Sequence, residues 1–326
     1  MQKLTILFIT ILASSIAIEE KQIQQQWKDF QAQFGKTYRS PVEARKRFAI
    51  FKANIEDIEV HNIDFENGKF TYRKGVNQFT DWTKDEFKQY LNRGLAYESN
   101  NFGKIFEKSE EFVAPEHVDW REQGVVTEVK SQGSCGACWA FGTTGALEGQ
   151  MAIANKSLIS LSEQNLIDCS TPQNNHGCRG GNMVKAFTYI QANGIESESD
   201  YPYTGKDGDC QASDNKIVTK ISGFVQIPKY DEQALQEAIA TKGPVAVGVD
   251  ASYFDAYESG IFNGPCNNVY LNHAILLVGY GSENGNEYYI AKNSWGKSWG
   301  TKGYMKLARN QDNMCGVGKM ASYPEL

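Results

Sequence analysis

The sequence predicts an α+β chain of two packed subdomains behind a separate helical N-terminal segment. Three observations predict it. Helix signals come first along the chain and strand signals later, which suits segregated layers. All seven cysteines lie beyond Val113, at positions 135, 138, 169, 178, 210, 266 and 315. The segment before them is free of cysteine and evenly charged, whereas residues 114–326 carry the acidic excess behind the net charge of −6.

A chain of 326 residues exceeds one average domain and falls short of three. Hydrophobic residues at 41% and charged residues at 22% give a globular balance, so a sizeable core is affordable. No basic patch is dense enough to suggest nucleic acid. The start reads Met1-Gln2-Lys3, an apolar run Leu4–Leu12, then Ala13-Ser-Ser-Ile-Ala17. That pattern describes a signal peptide over residues 1–17. The run is shorter than the ~20 residues that span a bilayer, and no later stretch is long and apolar enough. The chain is therefore expected in the secretory pathway, where disulfides form.

Within residues 18–113, Phe48, Phe51, Ile55 and Ile58 recur at three or four residues and predict an amphipathic helix over Pro41–Asn62. Phe70 to Phe79 has strand character up to a break at Gly75. A short helix should follow Asp81, with Thr83-Lys-Asp-Glu86 as its capping box. Beyond Ala114-Pro115 the texture turns Gly-rich. Helices are expected from Gly136 to Asn155, from Ser160 (Ser160-Leu-Ser-Glu163 being another capping box), from Asn182 to Asn193 with a stop at Gly194, and from Asp231 to Thr241. Strands are expected at Val245–Val249, Ala274–Tyr280, Glu287–Lys292 and Tyr304–Ala308, with Asn284-Gly285 as a turn.

The densest chemical signal is Gln132-Gly-Ser-Cys135-Gly-Ala-Cys138-Trp139. Cys-x-x-Cys can be a redox pair or half a zinc site. Zinc would want a second Cys/His pair at similar spacing, and none is present. A redox pair should sit in a βαβ context, which the sequence before Gln132 lacks. An odd cysteine in a secreted chain is an intermolecular link or a reactive thiol. Cys138 at the start of a helix would feel the positive end of the helix dipole, which favours the thiolate. It then needs a base and an orienter. His61, His117 and His176 fall in a helix, a segment junction and a turn. His273 opens the apolar strand Ala-Ile-Leu-Leu-Val, and Asn293 follows in Asn-Ser-Trp295.

Cys135-Gly-Ala-Cys138-Trp139, with His273 and Asn293 far downstream, resembles the papain and cathepsin family. In the first segment Glu43, Arg47, Phe51, Asn54, Ile58 and Asn62 resemble the ERFNIN motif of the family's inhibitory propeptides. Gly75-Val-Asn77-Gln-Phe79-Thr-Asp81 resembles the G-x-N-x-F-x-D motif that follows it. The resemblance extends over nearly the whole chain and is nearest to cathepsin L-like enzymes. Asn272 stands where that pattern usually has Asp, and Ala137 where Ser is commoner; neither removes a catalytic group.

The resemblance implies a papain-like two-subdomain fold: a helical half carrying Cys138, a β-barrel-like half carrying His273, and substrate between them. It implies a signal peptide 1–17, an inhibitory propeptide 18–113 and a mature peptidase 114–326. Cys138 would attack the carbonyl, His273 would be its base, Asn293 would orient His273, Trp295 would shield that contact, and Gln132 would donate to the oxyanion. Gly136, Gly181, Asn182, Met183, Gly248, Leu271, Asn272, Ala274, Trp295 and Met320 would line the substrate cleft. Disulfides Cys135–Cys178, Cys169–Cys210 and Cys266–Cys315 would leave Cys138 free.

The implied partners are polypeptide substrates, the chain's own propeptide and cystatin-type protein inhibitors. A monomer is expected, with no cofactor and no metal, in a lysosome or an extracellular digestive lumen. Asn155-Lys-Ser157 is a candidate glycosylation sequon. Competing readings are a catalytically dead binding protein, which intact Cys138, His273, Asn293 and Gln132 argue against, and a transamidase or ligase using the same Cys-His chemistry. A disulfide-stapled structural protein leaves the odd cysteine unexplained.

Overall fold

The computed structural model describes residues 20–96, 103–155 and 157–326. The expected signal peptide, and Lys156 with the side chain of Asn155 in the sequon, lie outside the described residues. No helix among the described residues is long and apolar enough to cross a membrane.

The N-terminal segment begins with α1 (20–33) and α2 (Pro41–Glu66). Ile23, Trp27 and Phe30 of α1 pack on Phe51, Ile55 and Ile58 of α2, so the expected three-four spacing does bury one stripe. Ser40 caps α2 by accepting from the Glu43 N–H, with Pro at the first turn. The chain then forms β1 (Tyr72–Lys74) and α3 (Lys84–Leu91), where the Thr83–Glu86 capping box is complete in both directions.

Polar residues of α2 hold this return stretch. Arg47 meets both carboxylate oxygens of Glu86 at 2.7 and 2.9 Å, and Asn54 Nδ2 donates to the carbonyls of Thr80 and Trp82. Asn62 exchanges two bonds with the Lys74 backbone. Loop groups that no helix or strand satisfies find partners this way. The ERFNIN-like positions thus act as a clamp along one helix.

After β2 (Lys104–Ile105) and β3 (Val118–Asp119) come α4 (Cys138–Asn155), α5 (Glu163–Cys169) and α6 (Met183–Asn193), which form the helical half. Helix α5 starts later than expected. Leu161 pairs with Ser197 in a β-bridge, and Ser162, not Ser160, supplies the cap by accepting from the Asn165 N–H. Helix α6 runs from its Asn182 cap to Gly194, whose φ of 87° suits glycine. Next come β4 (Ile195–Glu196), β5 (Ile217–Thr219), β6 (Gly223–Gln226) and α7 (Glu232–Thr241). Strands β7 (Val245–Val249), β8 (Tyr257–Phe262), β9 (His273–Glu283), β10 (Asn286–Lys292), β11 (Tyr304–Ala308) and β12 (Ala321–Glu325) complete the chain.

One sheet runs in the order β1-β8-β11-β10-β9-β7-β12-β6-β2, with β3 also paired to β9. The N-terminal segment supplies both outer strands: β1 lies antiparallel on β8 and β2 parallel on β6. Strand β9 separates two cores. Ile275 and Leu277 face one, with Val247 and Tyr289; Leu276 and Val278 face the other, with α4 and α6. Burial on both faces is why β7 and β9 read as unbroken apolar runs. Helix α4 lies close against the sheet because it carries glycine there. A Cβ on Gly145 would sit 2.8 Å from Leu276, and one on Gly149 2.8 Å from Pro244.

Candidate active site

The two halves meet at Cys138, the first residue of α4, and His273, the first residue of β9. Cys135–Cys178, Cys169–Cys210 and Cys266–Cys315 are disulfides, and Cys138 is free and buried. The first of these bridges ties the turn before α4 to the loop before α6. The same loop receives the Gly136 N–H at the Cys178 carbonyl, 2.9 Å away.

Strand β10 lies antiparallel beside β9 and delivers Asn293 just past its end. Asn293 Oδ1 stands 2.8 Å from His273 Nε2 and also accepts from the Ser294 N–H at 2.8 Å. An oxygen already accepting one N–H requires His273 Nε2 to be the donor. Nδ1 is then the ring's remaining acceptor. Trp295 stacks on the imidazole at 4.6 Å between centroids, and Trp299 backs Trp295 at 5.0 Å. Gln132 is locked by its neighbours. Its Oε1 accepts from Ser294 Oγ at 2.6 Å, its Nε2 donates to the Cys135 carbonyl at 2.9 Å, and its carbonyl accepts from Tyr203 Oη.

Burial disfavours the charged form of each partner in this state. Burial pushes the Cys138 thiol up to about 12, against the lowering effect of backbone hydrogen bonds from Ala274 and Trp139. Burial also pushes His273 down to about 4, with the Asn293 hydrogen bond opposing.

What buries the pair is the N-terminal segment itself. Residues 93–96 run through the cleft, with Leu95 in a parallel bridge to Gly181. The Ala96 N–H donates to the Gly181 carbonyl at 2.7 Å, and Asn182 Nδ2 donates to the Ala96 carbonyl at 3.0 Å. A Cβ on Gly136 would overlap the Arg93 carbonyl, and one on Gly94 would lie 2.7 Å from Cys138 Sγ. A Cβ on Gly248 would meet Leu95 at 2.9 Å, Leu271 at 3.0 Å and Met320 at 3.4 Å. The Leu95 side chain therefore sits where those three residues converge. Upstream, Phe79 and Phe87 meet Trp295 at 5.3 and 5.5 Å, and Gln78 donates to its carbonyl.

Most expected cleft residues thus come together along one segment. Met183 is fully buried in this state, with its sulfur toward Gly142 of α4 and Ala274 nearby. Asn272 faces the segment through its carbonyl; its side chain turns away to Asp250 Oδ1, Ser252 Oγ and the Ala251 N–H. Sequence reading did not single out residues 93–96 or the Phe79–Phe87 contact. It also passed over Lys130, Glu148, Glu163 and Lys292, which cluster behind the site. A Glu on the apolar face of α4 was the available signal for that cluster. Among the described residues, one His-carboxylate group could approach a cation, His117 with Asp119 and Glu122; there both oxygens of Asp119 are engaged by Arg121.

Residues 114–325 match the family of papain family cysteine proteases, and residues 27–87 match the cathepsin propeptide inhibitor domain. The chain is 45% identical over 314 residues to cathepsin L of Sarcophaga peregrina, covering 93% of each chain. It is 42% identical to procathepsin L of Mus musculus, covering 99% of each. Among solved structures, digestive procathepsin L 3 of the Tenebrio molitor larval midgut superposes with a TM-score of 0.89 at 47% identity, covering 93% of this chain and 99% of that one.

Proposed function

The chain belongs to the papain family of cysteine proteases, as a cathepsin L-like endopeptidase precursor carrying its inhibitory propeptide, and from that premise we propose how it works. Once the propeptide leaves, Cys138 becomes a thiolate paired with the His273 imidazolium and attacks the scissile carbonyl. The carbonyl oxygen turns into an oxyanion that receives the Cys138 N–H and the second N–H of Gln132 Nε2, the first being held by the Cys135 carbonyl. His273 passes its proton to the leaving amine, and a thioester remains on Cys138. Water, deprotonated by His273, attacks the thioester and releases the acid. Asn293 holds the ring through Nε2 in both steps. The observation that carries this reading is the propeptide backbone lying on Cys138 Sγ with its hydrogen bonds to Gly181 and Asn182.

Leu95 supports an apolar preference in the second acyl-side subsite. It occupies the convergence of Gly248, Leu271 and Met320, none of which carries a charge to meet an Arg. A fully buried Leu or Val is worth about 1.5–3 kcal/mol. Met320 narrows the floor, so Leu and Val should lead Phe. Peptide amides varied at that residue test this: Arg cleaved as well as Leu would sink it.

Acid release of the propeptide has its support in ion pairs that join the two parts: Lys84–Asp255 at 2.5 Å, Lys104–Glu325 at 2.7 Å and Lys108–Asp231 at 2.8 Å. Burial raises Asp231, but the Lys108 bond and the α7 N–H of Ala234 outweigh it and hold the carboxyl below its ordinary 3.8. A carboxylate with a depressed folded pKa stabilises above its unfolded value and loses that contribution as pH falls through the folded one. Proteolytic separation is proposed near Val113-Ala114, giving a mature chain from 114. The larval-midgut relative supports a digestive lumen; a lysosome is the other compartment open to this family.

A further inference from the structure

We infer that Asn182 selects the third residue on the acyl side of the substrate, favouring polypeptides with a carboxamide or carboxylate side chain there. This rests on the subsite reading above, in which Leu95 occupies the second acyl-side position, so that Ala96 lies over the third.

The Asn182 side chain is not free to turn. It caps α6, its Oδ1 accepting from the Val184 N–H at 2.8 Å and the Lys185 N–H at 3.4 Å. Its own backbone N–H donates to Asn175 Oδ1 at 2.8 Å, and Asn175 Nδ2 is held by Ser170 Oγ at 3.0 Å. With the oxygen turned to the helix N–H groups, the nitrogen must face the cleft. The reverse orientation would set an NH2 against two N–H donors. There Nδ2 donates to the Ala96 carbonyl at 3.0 Å. Asn182 is only 4% exposed while that segment is in place. When residues 93–96 leave, the donor loses its partner and stays aimed into the groove.

What replaces the partner follows from chain direction. Residues 93–96 rise in number toward the acyl side, whereas the acyl side of a substrate is its N-terminal part. A substrate therefore runs the other way, and the parallel bridge of Leu95 with Gly181 becomes an antiparallel one. In the parallel arrangement the two neighbours of Leu95 serve Gly181: the Gly94 carbonyl accepts from its N–H at 3.4 Å, and the Ala96 N–H donates to its carbonyl at 2.7 Å. In the antiparallel pairing that engages both groups of Gly181, the second acyl-side residue makes both bonds itself. Successive carbonyls of a strand point to opposite sides, so the carbonyl of the third residue turns away from Gly181 and Asn182. That leaves the side chain of the third residue to supply the acceptor. Gln and Glu bring one; Leu and Met do not, and Lys sets donor against donor.

The test measures kcat/KM of the processed enzyme on peptide amides with Leu at the second acyl-side position and Gln, Met or Lys at the third. Met matches Gln in length and lacks the acceptor. Gln should exceed Met about fivefold, the size of one net hydrogen bond, and Lys should trail both. Asn182→Asp keeps a capping oxygen on α6 and puts a carboxylate oxygen where Nδ2 was. It should reverse the order, with Lys leading and Gln no better than Met. Asn182→Ser caps through its hydroxyl and offers the cleft nothing, so it should bring Gln level with Met; it serves if the first variant fails to fold. A second series holds Gln at the third position and compares Leu with Arg at the second. Should Leu keep its lead there while wild type cleaves Gln and Met alike, this inference falls and the subsite reading stands. Arg cleaved as well as Leu would remove the subsite reading and this inference with it. An order of Gln, Met and Lys unchanged in a folded Asn182 variant would also overturn the assignment.

Discussion

Replacing Gly94 by Ala should open the catalytic cleft without detaching the propeptide. A Cβ there would lie 2.7 Å from Cys138 Sγ, 3.3 Å from the Leu91 carbonyl and 3.4 Å from the Asn272 carbonyl. The sulfur is fully buried and two of the three neighbours are backbone, so the segment must lift. Lifting breaks the Ala96–Gly181 and Asn182–Ala96 hydrogen bonds, worth about 0.5–1.5 kcal/mol each. It also withdraws the half-buried Leu95 from Gly248, Leu271 and Met320, about 1 kcal/mol more. A total of about 2–4 kcal/mol raises the open population roughly 30- to 1000-fold. Contacts of Phe79 and Phe87 with Trp295 and the two edge strands keep the propeptide attached. The assay is the rate at which a small thiol reagent labels Cys138 in the intact precursor at neutral pH. Gly68→Ala is the control, since a Cβ there meets nothing within 4 Å and bears only the strain of a φ of +74°. Labelling of Gly94→Ala within twofold of wild type would refute the steric argument.

In the processed enzyme, Cys138→Ala should abolish peptide hydrolysis and leave three disulfides, read by thiol titration before and after denaturation. His273→Ala should lower kcat by about 10²–10⁴ and Asn293→Ala by clearly less, because water can replace part of an orienting bond; equal losses would reject the division of roles. Gln132→Ala should cost about 10²–10³ in kcat with KM little changed. Acid unfolding of the N-terminal segment should follow Glu86. Burial raises its pKa, but the Arg47 pair and the Thr83 N–H hold it below its ordinary 4.5. Its contribution is thus complete above 4.5 and fades as pH falls through the lower folded value. Glu86→Gln should remove that part of the pH dependence in thermal melts of the Cys138→Ala precursor.

The elements legible in the sequence were those with a strong local signal. Phe51, Ile55 and Ile58 announced α2 by their spacing, Thr83 and Glu86 announced α3 by their cap, and the unbroken runs of β7 and β9 announced buried strands. The odd count announced one leftover thiol, and the Cys135-Gly-Ala-Cys138-Trp139 motif with its family resemblance, not the counting, pointed to Cys138. Ser160 misled because Ser162, two residues on, offers the same cap, and the bridge from Leu161 to Ser197 is a tertiary contact that no local pattern encodes. Strands β6, β8 and β12 are short and mixed in character, so they carried no periodic signature. Residues 93–96 stayed invisible for a different reason. Their hold on the cleft runs through backbone groups and a glycine, which any sequence can supply.

The sheet has further meaning for the life history of the molecule. While the propeptide is present, β1 and β2 cap its two outer edges, on β8 and β6. Cutting the chain and losing that segment bares rows of N–H and C=O groups that can template pairing with another copy. A mature molecule that unfolds must then find its way back with those edges uncovered and without the part that once covered them. Its persistence should therefore be governed by how slowly it opens and not by how readily it re-forms. Maturation would in this sense run in one direction, and the working enzyme would carry a lifetime set at the moment of its release.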